Sequence, residues 1–139
     1  MKKYEFTSEI KEIEGYTFHC IHALRDFGDV KAGDLCGFIE KEDNLSHDDN
    51  CWVGGSTLVC CEALVYDNAI VCDDAVVCGH VYGNARILKK AWVHNDAHIY
   101  GDSEVSGSAR IKPGAKVAGS AKIYGSVYGN AKISGNGCV

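Results

Sequence analysis

The chain has 139 residues, 46% of them hydrophobic and 24% charged, with a formal net charge of −5. That size supports one domain, and because the basic residues Arg86, Arg110, Lys116, Lys122 and Lys132 form no single stripe, no nucleic-acid partner is expected. No apolar run approaches the about 20 residues of a membrane span, and the opening MKKYEFTSEIKEIEG lacks a signal peptide's apolar stretch, so a cytoplasmic protein without membrane contact is expected.

Taken in order, residues 1–25 alternate apolar and polar positions: Tyr4, Phe6, Ile10 and Ile13, then Tyr16, Phe18, Cys20 and Ile21. This pattern predicts a β-hairpin. Residues 1–50 are read as an N-terminal β cap, placed where it covers the end of a solenoid that is otherwise prone to aggregate. From Cys51 onward a small residue is followed two positions later by an aliphatic one, and the pair recurs every six residues. Cys51/Val53, Thr57/Val59, Ala63/Val65, Ala69/Val71 and Ala75/Val77 make the first run, and Ala85/Ile87 to Ala121/Ile123 the second. Ala131/Ile133 and Gly137/Val139 close the series, which places Val139 at a core position. Two steps, Val77 to Val81 and Ile123 to Val127, are four residues instead of six.

Each unit is a very short strand plus a corner, and three units make one triangular coil. The aliphatic side chain fills the interior, and the small residue sits where a larger one has no room. Corners such as Asp67-Asn68, Asp73-Asp74, Gly83-Asn84, Asn95-Asp96, Pro113-Gly114 and Gly129-Asn130 carry residue types that tolerate positive φ. Strands stacked coil on coil about 4.8 Å apart share their hydrogen bonds, so the array is stable only as a solenoid. The fold predicted for residues 51–139 is therefore an all-β, single-stranded parallel β-helix. A β-sandwich is excluded, because it needs turns about every 8–12 residues.

Fixed position within the coil makes ladders of stacked side chains readable. Residues just after the core aliphatics are expected to point outward, as Tyr66, Tyr82 and Tyr100 on one ladder and Cys60, Cys78 and His94 on another. The tyrosines are candidate binding residues for a sugar or nucleobase, or simply stabilise adjacent strands. The Cys60–Cys78–His94 row has the donor types of a soft-metal site. Buried cysteine is the commoner use, the eight cysteines match no zinc ribbon or finger, and no metal site is assigned. Residues just before the aliphatics are apolar early (Leu58, Leu64, Ile70, Val76) and basic late (Arg86, Arg110, Lys116, Lys122, Lys132). The apolar block implies a covering partner, the N-terminal hairpin for one face and a neighbouring subunit for another. Charge is also uneven along the chain, with a net −10 in residues 1–74 and +5 in residues 75–139.

The six-residue period over 51–139 resembles the hexapeptide-repeat superfamily, whose coils are left-handed and whose best-known members are trimeric acyltransferases. Upstream, Asp26-Phe27, the Asp29-Val30-Lys31-Ala32-Gly33 turn, Asn44-Leu45-Ser46 and Cys51-Trp52-Val53 resemble the N-terminal cap of a bacterial, YdcK-like acetyltransferase family. That family has Gly-Gly-Trp where this chain has Cys36-Gly37-Phe38. The resemblance implies a left-handed coil, a homotrimer and a histidine base near a subunit boundary, for which His80, His94 and His98 are the catalytic candidates. The spacing of His94 and His98 does not match the zinc-binding histidines of the related γ-type carbonic anhydrases. Two functions from different classes are carried forward. One is a self-associating structural or binding module that requires no cofactor; the other is an acyltransferase using acetyl-CoA between subunits.

Overall fold

The computed structural model describes residues 2–129 and 131–139, leaving aside the side chains of Leu35 and Cys36; the Gly129-Asn130 corner and the Cys36 side chain thus fall partly outside it. Strand β1 (Tyr4–Ile13) pairs antiparallel with β2 (Tyr16–Ala23), which pairs antiparallel with β3 (Leu35–Ile39). From there every pairing is parallel, and the chain winds as a β-solenoid of about five turns. Among the described residues no helix is long and apolar enough to cross a membrane.

The six-residue period becomes three flat faces. Face one stacks Ile39, Val59, Val77, Val93, Ile111 and Val127; face two stacks Val65, Val81, Ile99, Val117 and Ile133; face three stacks Val53, Val71, Ile87, Val105 and Ile123. These aliphatics and the small residues two positions before them form one continuous core, in which Ala63, Ala75, Ala97 and Ala121 are wholly buried. Parallel stacking also extends upstream of the repeat, since Phe38-Ile39 pairs with Leu58-Val59 and Leu45 bridges to Val65.

The corners behave as their residue types require. Asp67, Asp73 and Asp96 have φ of 58, 62 and 60°. Cys61 and Lys89 adopt the same left-handed region at 59° each, without the side-chain chemistry that usually eases it. Lys89 is supported by its N–H, which donates to Asp73 Oδ2 at 3.0 Å.

At the N-terminal end the core is plugged by Tyr4, Phe27 and Trp52, with Phe27 and Tyr4 meeting the indole edge-on at 5.1 and 6.4 Å. Lys3 is fully buried there; its ammonium donates to the Cys51 carbonyl at 2.7 Å and the Asp48 carbonyl at 3.3 Å, and lies 4.7 Å from the Phe27 ring centre. At the other end Val139 occupies the next position in the series and is 43% exposed.

Candidate functional site

Two places on the solenoid gather chemistry-bearing side chains, and each is set by the repeat. The first lies on the outside of face one. The hairpin does more than extend the sheet: its tip overhangs the face, so that Ile13, Tyr16 and Phe18 confront Leu58, Val76 and Trp92 across a groove of about 340 Å³. Phe18 and Cys20 pack with Phe38 and Cys60 in a small buried cluster separate from the main core. The overhang therefore covers part of the apolar block, and Trp92 remains 37% exposed at its edge, with the Arg110 guanidinium 4.9 Å from its ring centre.

The floor of this groove holds three cysteines. Cys60 and Cys78 follow core valines in successive coils, and their sulfurs are 2.9 Å apart. Cys61 joins them, and the three sulfurs all lie within 4.8 Å of one another. Cys60 lies outside the main core, as a residue after a core aliphatic should, yet it is buried, because Phe18 and Phe38 cover it. Cys61 is held from both sides of its backbone. Its N–H donates to Glu40 Oε1 at 2.6 Å, and its carbonyl accepts from the buried Asn44 amide at 3.2 Å. Positive φ at Cys61 turns the corner within these two constraints.

The shortened step leaves Cys61 and Cys78 partly exposed, while Cys60 stays buried. Where other corners spend two residues, the coil below runs Val77-Cys78-Gly79-His80-Val81. The missing residues leave a notch of about 180 Å³ lined by Cys61, Glu62, Cys78, His80, Asn95 and Asp96. Only glycine fits at its base, because a Cβ on Gly79 would lie 2.6 Å from the carbonyl oxygens of His94 and Ala97. Proton sharing splits the two facing thiols. A hydrogen bond from Cys60, helped by Cys61, lowers Cys78 to about 7, and the same contact with burial drives Cys60 upward.

The second place is face two with the corner after it. Tyr66, Tyr82 and Tyr100 stack at 4.8 and 5.0 Å with nearly parallel rings. His80 and His98 stand beside them on adjacent strands with ring centres 4.7 Å apart, and His98 meets Tyr82 edge-on at 6.2 Å. Five aromatic rings thus make one half-buried patch spanning three coils. Burial raises the Tyr66 and Tyr82 phenols above their ordinary value, which keeps them neutral donors. Burial, then His80 and Lys116, lowers His98.

The sequence candidates are therefore divided between two sites. His80, His98 and the three tyrosines share face two, whereas His94 lines the groove, stacked on Trp92 at 5.3 Å. Its Nε2 is buried without a hydrogen-bond partner among the described residues, and burial followed by Lys112 and Arg110 lowers its pKa. Sequence reasoning missed Cys61 as part of the groove, and had the hairpin covering one face of the apolar block without fixing which one. The doublet Cys60-Cys61 directly above the shortened step was the available signal. Compared with known proteins, the chain matches no family model, and no curated protein is significantly similar to it.

Proposed function

We propose that this β-solenoid is a self-associating binding module whose contact surface is face two, and that its coil is a left-handed hexapeptide helix. The observation that carries the reading is the five-ring patch of Tyr66, Tyr82, Tyr100, His80 and His98, a flat and largely neutral surface outside the hairpin's reach. Tyrosine and histidine rings offer large rigid contact area at low cost in side-chain entropy, which is why such residues anchor interfaces.

The occupant favoured by charge is a second copy of this chain. Along face two the outward row runs Leu64, His80, His98, Lys116, Lys132, with Glu62 and Asp67 flanking its first coil. Residues 1–74 carry a net −10 and residues 75–139 a net +5. Two copies packed antiparallel about the ring patch bring the lysine end of each against the acidic end of the other. A parallel trimer, as the hexapeptide resemblance implies, aligns like charges instead, so a two-fold pair is the better account. Sedimentation velocity on the double variant Lys116→Glu, Lys132→Glu tests this. At least tenfold weaker association is expected, with the wild type weakened by added salt; association unchanged by the reversal contradicts the reading.

An acyl-CoA-dependent acyltransferase is the second reading. It is supported by the hexapeptide resemblance and by His80 and His98 standing with ring centres 4.7 Å apart on face two, which a pairing through that face would bring to a boundary between copies. Calorimetric binding of acetyl-CoA, abolished in His98→Ala, supports it, and heatless titration at millimolar acetyl-CoA removes it.

A further inference from the structure

The thiol cluster is not used by self-association through face two, and its arrangement has a use of its own. Three sulfurs within 4.8 Å, one pair at 2.9 Å, bracket the about 3.8 Å separation of thiolates that share one ion at a metal–sulfur distance of about 2.3 Å. The ligand backbone is fixed before any ion arrives. Cys60 and Cys78 sit on the parallel ladder, and Cys61 is pinned by Glu40 and Asn44.

The surroundings suit a soft cation. Phe18, Phe38, Leu58 and Val76 wall the cluster on the groove side and limit water. The notch beside Gly79 supplies an entry path past Glu62 and His80. Nitrogen donors stand on both sides, His80 in the notch and His94, with its unpartnered Nε2, in the groove. Soft thiolates select Zn²⁺ and Cu⁺ over Mg²⁺ or Ca²⁺.

We propose that Cys60, Cys61 and Cys78 form a three-thiolate site for a thiophilic closed-shell cation, loaded through the notch that the shortened coil leaves at the corner. Binding replaces each S–H bond with a metal–sulfur bond and releases one proton per thiol to solvent, with no change of oxidation state, so affinity falls as pH falls. The ion ties the first two coils together.

The test uses the full chain kept reduced with a non-thiol phosphine. Zn²⁺ is titrated in competition with a chromophoric chelator, and Co²⁺ is titrated while sulfur-to-metal charge-transfer absorption is recorded. One equivalent is expected to bind, to release protons and to shield three thiols from a disulfide reagent. Cys61→Ser and Cys78→Ser are each expected to weaken Zn²⁺ at least tenfold, whereas Cys72→Ser and Cys138→Ser leave it unchanged. Cys61 lies at a partly exposed corner, so its variant keeps the fold, as far-UV circular dichroism checks. A folded, reduced wild type that binds no stoichiometric Zn²⁺ or Co²⁺ overturns the proposal, as does binding that survives loss of Cys61 and Cys78. The readout is metal affinity and not molar mass, so failure of this proposal and failure of self-association are distinguishable.

Discussion

Replacing Gly79 with alanine tests how the notch is built. The added methyl lies 2.6 Å from two carbonyl oxygens and 3.0 Å from Val93 Cγ1, all on the next coil. Neither carbonyl can retreat freely. Ala97 O accepts the His80 N–H at 2.8 Å, and His94 O accepts the Ala97 N–H at 3.3 Å. Relief therefore means parting the strands at this corner, with overpacking of about 1–3 kcal/mol and one ladder hydrogen bond worth about 1 kcal/mol. The sum is a loss of about 2–4 kcal/mol, or about 10 °C in melting temperature for a chain of this length. Gly54→Ala is the matched control. Its nearest neighbour to an added Cβ is Cys72 Cβ at 3.9 Å, so a change within about 0.5 kcal/mol is expected. Both are measured by urea unfolding followed by circular dichroism. If Gly79→Ala is as stable as Gly54→Ala, the close approach that shapes the notch does not exist in solution.

Further outcomes follow from the same structure. Lys89→Gly relieves a left-handed φ of 59° while keeping the N–H bond to Asp73, and is expected to gain about 0.5–1 kcal/mol in the same assay. Lys3→Met leaves the buried Cys51 carbonyl without its donor, and is expected to cost about 1–3 kcal/mol. His94 and His98 have folded pKa values lowered below 6.5, so they contribute stability that is present above pH 6.5 and lost as pH falls through the lowered values. Melting temperature should therefore drop on the acid side of 6.5, and the drop should shrink in a His94→Gln, His98→Gln double variant. In the metal-free reduced protein, iodoacetamide is expected to modify Cys78 with a pH midpoint near 7, while Cys72, raised by burial, reacts only at higher pH.

The core was legible residue by residue because the coil repeats its environment. One aliphatic and one small residue per six positions dictate which side chains meet, and the two four-residue steps appear as 16-residue spacings between otherwise 18-residue neighbours, such as Val76 and Trp92. The tyrosine ladder followed from the same arithmetic. Periodicity carries no information about elements outside the period, and there the reading stopped. The hairpin was expected to cover the solenoid end and one face of the apolar block; which face it covers, face one, is set by packing of Phe18 against Phe38 and Cys60. Lys3 was not singled out, since a lysine near the start of a chain is ordinarily solvated, yet here it closes three carbonyls' worth of open coil. Cys61 was invisible to ladder counting because positive φ turns it off the row on which Cys60 and Cys78 stack.

The central claim is that face two joins two copies, and the molar mass in solution tests it most directly. Multi-angle light scattering across a dilution series at low salt should give twice the 15.0 kDa of one chain at high concentration, falling toward one chain on dilution and falling earlier for Tyr82→Ala. A mass of one chain at every concentration, or a Tyr82→Ala protein that associates as well as the wild type, contradicts the account.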